Sequence, residues 1–295
     1  MKTLVTAATG TVGRHVVRAL GERGVAARAF VRDREHAARL LGGDVELAVG
    51  DFSDRDSIER ALRGTDRLFL ACGNVPGQVK HERAAIDAAK AAGVGRVVKL
   101  SGPRAAVDSP LIFERWHAEI ERHLLASGVP SVRLRPRTYM TNLLAFAEAI
   151  AQTGMLFAPA GAAEITFVDP RDVAETAAAT LVDDGHDGRT YTLTGPEAIS
   201  YGRIAEELSA ATSRRIDYVD VPDAAARQAM LETGMPEVVA DFIVGVFGVQ
   251  RAGGMAHPTD VVQALTGRPP RAFAQFAREH AAAFAGDALV AASTS

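Results

Sequence analysis

Cysteine is almost absent: Cys72 is the only one in 295 residues. An intrachain disulfide is therefore excluded, a thiolate zinc site cannot be built, and the reducing cytoplasm is the expected compartment. Basic excess is missing too. Thirty-three Lys and Arg against 36 Asp and Glu leave a formal net charge of -3, with no basic stripe, so neither nucleic acid nor an anionic membrane is an expected partner. No apolar run is long enough to span a bilayer. The start, Met1-Lys2 followed by a short strand and a glycine turn, lacks the apolar core of a signal peptide. The histidines show no His-Glu-x-x-His spacing, and Asp183, Asp184 and Asp187 around Gly185 lack calcium-loop spacing and read as a solvated turn. No metal site is expected. A hydrophobic share of 47% with 6% aromatics describes an ordinary soluble globular chain, without internal repeats or a low-complexity linker.

The informative stretch is the first turn. A short apolar run rich in β-formers breaks at the small residues of 6–11, and an amphipathic pattern (Val12, Val16, Val17, Leu20) follows at once, which reads as strand, tight turn, helix. Gly10 and Gly13 allow close approach of backbone and helix to a pyrophosphate, and the unpaired N–H groups at the helix start attract that anion. The glycine spacing alone also describes an ordinary turn in an α/β protein; its place between a strand and a helix favours nucleotide binding.

Further strands are expected over 25–32, 45–50, 67–73, 96–102 and 131–135, alternating with helices, of which the one over 78–92 is long and the one after the third strand starts near Asp54. That alternation predicts βαβ crossovers: an α/β Rossmann fold, doubly wound, with a parallel sheet and helices on both faces. Its ligand crevice lies beyond the carboxyl ends of the strands, where Gly10, Arg32, Asp51, Cys72 and Ser101 all fall. Arg32, with Arg34 or Arg14 beside it, suits the 2′-phosphate of NADPH, against which Asp33 argues. Asp51 is placed to accept from adenine, or to serve as a cap or turn residue.

Together, Ala-Thr-Gly-Thr-Val-Gly at 8–13, Val-Arg-Asp at 31–33, Gly-Asp at 50–51, Leu-Ser-Gly at 100–102 and Leu-Arg-Pro-Arg-Thr-Tyr-Met-Thr-Asn at 134–142 resemble the NmrA-like branch of the atypical short-chain dehydrogenase/reductases. The likeness continues through Phe-Val-Asp-Pro-Arg-Asp-Val-Ala at 167–174, Tyr-Thr-Leu-Thr-Gly-Pro-Glu at 191–197 and Leu-Thr-Gly-Arg-Pro-Pro-Arg-Ala-Phe at 265–273. It implies an extended Rossmann fold that binds NADP(H), either to reduce quinones or ketones or only to sense the cofactor. By that resemblance Thr9, Gly10, Thr11, Val12 and Gly13 hold the pyrophosphate, Arg32 the 2′-phosphate, and Asp51 with Phe52 the adenine. Ala71, Cys72, Gly73, Ser101 and Pro136 line the ribose and nicotinamide.

The chain departs from the family pattern twice. Ala7 stands where a glycine is usual, so the turn there is expected to use a φ that alanine tolerates. The Tyr-x-x-x-Lys pair is replaced by Phe113 and His117, and phenylalanine has no proton to give. Three readings follow: His117, with Ser101 beside it, is the catalytic acid, or His117 merely bonds a ribose hydroxyl or a water; no side chain donates the proton; or the protein binds NADP(H) without turnover, as a sensor or regulator. The second suits a small hydrophobic aromatic substrate that stabilises its own oxyanion, such as a quinone or an aromatic polyketide ketone in antibiotic biosynthesis. Tyr139 and Trp116 are weaker candidates, with packing as their main role.

The expected division is 1–153 for the NADP-binding domain and 154–285 for a smaller, mostly helical substrate lobe. Residues 164–194 return to the sheet, and 286–295 form a flexible tail. A helix over 143–152 and a strand over 164–168 are expected at the junction. The apolar run from Met230 to Phe247 reads as core or dimer contact more than as pocket, leaving monomer and homodimer open, and Gly253, Gly254 and Pro258 suggest a mobile loop.

Overall fold

The computed structural model describes residues 1–286; the tail expected from residue 286 lies, from 287 onward, outside them. Strands and helices alternate through the first half: β1 (Lys2–Val5), α1 (Gly13–Glu22), β2 (Ala26–Val31), α2 (Arg34–Leu41), β3 (Glu46–Val49), α3 (Arg55–Leu62), β4 (Arg67–Leu70), α4 (Gln78–Ala91), β5 (Arg96–Leu100), α5 (Ile112–Ser127) and β6 (Ser131–Pro136). A 3-10 helix (Met140–Phe146) and α6 (Ala147–Thr153) follow, then β7 (Met155–Ala158), β8 (Glu164–Ile165), α7 (Pro170–Val182), β9 (Thr190–Leu193) and β10 (Ile199–Ser200). The chain continues through α8 (Tyr201–Thr212), β11 (Asp217–Asp220), α9 (Asp223–Glu232), α10 (Glu237–Arg251), α11 (Val261–Thr266), α12 (Phe273–Glu279) and α13 (Ala281–Ala285).

Two compact units result. The first joins Met1–Pro136, Pro170–Leu193 and Val261–Arg268. Its sheet has seven strands in the order β3-β2-β1-β4-β5-β6-β9, every pair parallel. The order reverses between β1 and β4, the switch point at which such sheets bind ligands beyond their carboxyl ends. Buried Leu4, Leu68, Leu70 and Val97 of the strands pack with Ile86, Ile120 and Leu124 of α4 and α5. Parallel strands covered on both faces are apolar along their length, which makes the two long cations of β5, Arg96 and Lys99, conspicuous: both are buried. Arg96 is held by Asp187 at 2.5 Å and by the carbonyls of Thr180 and Asp183 at 3.0 and 2.7 Å. The acidic turn is thus a clamp on a buried guanidinium rather than a purely solvated feature.

The turn after β1 corrects one expectation. Ala7 has φ +47°, in the left-handed region, where an L-residue carries a cost of roughly 1 kcal/mol. The reason is local: the loop folds back so that the Gly10 N–H donates to the Ala7 carbonyl at 2.9 Å. Ala7→Gly should therefore stabilise the protein by about 0.5–1 kcal/mol after the extra entropy of an unfolded glycine, raising Tm by about 2 °C. A melting temperature at or below that of the wild type would show that the turn carries no strain.

The second unit joins Arg137–Asp169, Thr194–Asp260 and, among the described residues, 269–286. Its core gathers Met140, Leu156, Phe167, Tyr201, Phe247 and Phe276. The strand expected over 164–168 shortens to β8, which pairs antiparallel with β10 instead of joining the large sheet; of the region 164–194, β9 is the strand that returns to it. The helix expected over 143–152 begins as a 3-10 helix. Of the apolar run 230–247, Ala240 and Phe247 are buried. The loop at 253–258 is tied down, since Thr166 donates to the Met255 carbonyl from both N–H and Oγ1 at 2.9 Å. No helix of the described residues is long and apolar enough to cross a membrane.

Candidate active site at the strand ends

The first unit brings the sequence-predicted residues to the carboxyl ends of its strands. Between β1 and α1 no N–H of Thr11, Val12 or Gly13 makes a hydrogen bond among the described residues; the first helical bond is Arg14 N–H to the Gly10 carbonyl at 3.3 Å. Unpaired N–H groups at a helix start are of the kind that attracts an anion. Gly13 is required by packing: a Cβ there would stand 2.1 Å from the Ala7 carbonyl oxygen and 2.8 Å from its carbon. This loop fits a dinucleotide diphosphate, because its N–H groups at 11–13 are unpaired while the carbonyls of Ala7, Gly10 and Val12 accept from Gly10, Arg14, His15 and Val16.

At the end of β2, Arg32 is exposed. Asp33, its sequence rival, caps α2 by accepting from the His36 N–H at 3.0 Å, and that bond holds its carboxyl below the ordinary carboxylate range. The anion that argued against a 2′-phosphate is thus committed to a helix start. At the end of β3 the Asp51 Oδ1 accepts from the Ser53 hydroxyl and N–H at 2.6 and 2.8 Å, so it closes a turn, and the two bonds lower its pKa. Phe52 lies edge-on to Phe30 and parallel to His81, with ring centroids 5.8 and 6.2 Å apart. His81 was invisible as a site residue in the sequence; only its place in the first turns of α4, beside Gly77 at φ +88°, brings it there.

Beyond β4, Ala71 is buried and Cys72 half-buried. Burial, and then the charge of Glu82, push the Cys72 thiol up to about 11, so it stays a thiol, without nucleophilic chemistry. Beyond β5 the Ser101 hydroxyl donates to Glu121 at 2.6 Å, and Glu121 in turn takes Arg135 in a two-point pair at 3.0 and 2.5 Å. The Ser101 proton is committed to that carboxylate, which makes Ser101 a brace in this arrangement rather than an acid. Pro136 closes β6 and is buried.

On α5, Phe113 is buried against Trp116 at 5.0 Å between centroids. His117 is buried one turn on, its ring pressed onto Gly102, where a Cβ would come within 2.8 Å of the imidazole. Burial first, and then the charges of Lys99 and Arg135, hold its pKa well below the usual histidine range. An imidazole so placed is neutral near pH 7 and offers no imidazolium proton. Lys99 Nζ stands 3.4 Å from His117 Nδ1. Sequence reasoning passed over Lys99, Glu82, Glu121 and Arg135 as functional residues; each sits in a stretch whose period marks it merely as strand or helix, and no local motif flags the pairing. No group of three metal-ligating side chains occurs among the described residues.

The model of the NmrA-like family matches residues 1–266. An NAD(P)H azoreductase of Xenophilus azovorans is 39% identical over 281 residues, covering 95% of this chain and 98% of the relative. A (4-alkanoyl-5-oxo-2,5-dihydrofuran-3-yl)methyl phosphate reductase of Streptomyces griseus is 41% identical over 285 residues, covering 96% and 99%. Among solved structures, the NADPH-dependent quinone oxidoreductase of Escherichia coli in complex with NADPH superposes with a TM-score of 0.87 at 29% identity, covering 95% of this chain and 99% of that one. The glycine turn, the reversal of strand order beside it and the match along nearly the whole chain lead to one conclusion: the protein belongs to the NmrA-like family.

Proposed function

We propose that this chain passes hydride from NADPH to a conjugated, electron-poor acceptor of hydrophobic aromatic type, a quinone or an aromatic ketone, without a side chain acting as Brønsted acid. At the coarser level it is an NAD(P)H-dependent oxidoreductase, as its family and the reductases it resembles indicate. The observation that carries the finer reading is the pair at the usual Tyr and Lys positions: Phe113 has no ionisable group, and His117 is kept neutral. A positioned acid is worth about 10²- to 10⁴-fold, whereas orienting the reactants reaches effective molarities of roughly 10⁵ M or more. Geometry can therefore carry the reaction when conjugation in the acceptor spreads the developing charge. The azo, quinone and oxo-dihydrofuran groups in the names of the relatives are all acceptors of that conjugated kind.

When bound, NADPH supplies the hydride. In this reading the chain's own residues hold it: Thr9 to Gly13 with the N–H groups of the α1 start at the pyrophosphate, Arg32 at the 2′-phosphate, Asp51 and Phe52 at the adenine, and Ala71 to Gly73, Ser101 and Pro136 along the ribose and nicotinamide. Arg32→Ala should weaken NADPH about 10- to 100-fold and leave NADH within about 2-fold, the size of one charge-assisted bond to phosphate. Equal losses for both cofactors in titration calorimetry would remove Arg32 from the 2′-phosphate. Tailoring of an aromatic polyketide is the narrower version of the reading, supported by the missing acid.

NADPH consumption with a simple quinone, an azo dye, a hydroxylated aromatic ketone and a saturated ketone tests the proposal. Turnover of the conjugated acceptors, with the saturated ketone slower by at least about 10²-fold, is the expected result. Tight NADPH binding without turnover of any acceptor would replace it with the reading as a cofactor-binding regulator.

A further inference from the structure

Behind the strand ends lies a buried polar cluster that hydride transfer, as argued above, leaves unused. Gln78 and Glu82 of α4 and Lys99 of β5 are each fully buried. Gln78 Nε2 donates to Glu82 Oε1 at 2.9 Å, and Lys99 Nζ donates to the same oxygen at 3.1 Å while standing 2.8 Å from Oε2. The same ammonium bonds the Leu100 carbonyl and faces His117 Nδ1 at 3.4 Å. Its three N–H donors thus have three acceptors, and one of those acceptors is the imidazole at the usual lysine position of the helix.

An ammonium can only donate. The nitrogen facing it is therefore the lone-pair nitrogen of the ring, and in a neutral imidazole the proton then resides on Nε2. His117 Nε2 makes no hydrogen bond among the described residues, and it is not one of the described polar atoms sealed from solvent without a partner. The charged groups around the ring come from every packed element: Lys99 on β5, Arg135 on β6 paired with Glu121 of α5 itself, and Glu82 on α4 behind Lys99. The two cations disfavour a third charge on the imidazole, and the ring occupies the space that a side chain at 102 would fill.

We propose that Lys99 is a positioning residue that locks His117 as the neutral Nε2–H tautomer, so that its N–H serves the acceptor oxygen as a fixed hydrogen-bond donor. The donor role rests on the hydride-transfer reading; the lock does not. A lysine from the strand thereby stands beside the place of the helix lysine and sets the state of the residue that replaced it.

Nitrogen-15 NMR of the histidine side chains tests the lock without turnover. The wild type should show the Nε2–H pattern for His117 and no titration near neutral pH. The variant Glu82→Gln/Lys99→Met removes both charges at similar volume, so no lone ion remains in the core; in it His117 should mix tautomers and its pKa should rise by about 1 unit or more, while near-wild-type melting confirms the fold. Its kcat should gain a pH break, at the raised His117 pKa and below the ordinary histidine value, that shifts upward from that of the wild type. An Nδ1–H or an imidazolium pattern in the wild type, or a His117 unchanged in the folded double variant, overturns the lock. For the donor, His117→Ala should lower kcat about 10²-fold and His117→Gln, which keeps an N–H but cannot act as an imidazole, should recover most of the loss. Equal kcat for wild type and His117→Ala overturns the donor role. Absence of turnover with every acceptor counts against hydride transfer instead, and the NMR result still decides the lock.

Discussion

Gly13→Ala should destabilise the protein by at least about 2–3 kcal/mol and weaken NADPH by roughly 10²-fold or more. The added Cβ would meet the Ala7 carbonyl oxygen at 2.1 Å, the Ala7 carbonyl carbon at 2.8 Å and the Ala8 Cα at 3.0 Å. All three are backbone atoms of the loop that starts α1, so no side chain can swing aside. The helix must lift off the turn, and with it go the unpaired N–H groups of Thr11, Val12 and Gly13, which the proposed function assigns to the diphosphate. Two controls separate this from a general intolerance of glycine replacement. At Gly10 a Cβ would stand 3.1 Å from the Ala7 oxygen, a contact that a small shift relieves. Gly21, in the same helix, has nothing within 4 Å, and alanine there should stabilise by about 0.5–1 kcal/mol through helix propensity. Urea denaturation and NADPH titration of the three variants check the ranking; a Gly13→Ala protein that melts like Gly21→Ala would mean that the helix does not rest on the turn.

What the sequence made legible follows from how far each signal reaches along the chain. The strand-turn-helix start, the alternation of strands with helices and the crevice residues at the strand ends are local patterns, because side-chain period and turn chemistry are set within a few residues. The parallel sheet followed from that alternation. Other features depended on partners far along the chain. Lys99 lies in a strand whose neighbours are apolar, and its partner Glu82 stands on α4 while His117 stands on α5; nothing in either stretch announces the other. Arg96 and Asp187 meet in the same way across 91 residues. The strand at 164–165 had the right composition for the large sheet, but its partner is β10, and pairing choice is not written in a short apolar run. At Ala7 the local rule itself was overridden: the residue argued against a left-handed turn, and closure onto Gly10 imposed one.

The second large effect concerns the pair Glu82 and Lys99. Both side chains are fully buried, 2.8 Å apart. Removing one partner of such a pair costs about 3–5 kcal/mol, whereas replacing both by neutral groups of similar volume is near neutral. Lys99→Met should therefore be far less stable than Glu82→Gln/Lys99→Met, although the double variant carries more changes. The pH dependence has a definite sign. Burial already raises the Glu82 pKa, with Lys99 opposing it; without that cation the folded-state value rises further above the unfolded one. The folded Lys99→Met protein then binds a proton that the unfolded chain has lost, so its stability, intact below the unfolded value of about 4.5, declines as pH rises through the folded pKa, by about 1.4 kcal/mol for each unit of separation. The melting temperature of Lys99→Met relative to wild type should thus fall from about pH 5 to pH 8, while the double variant, having no carboxyl at 82, should lack that decline. Parallel curves for Lys99→Met and wild type would mean that the carboxylate finds water or another donor once Lys99 is gone, and that the cluster is less closed than its burial indicates.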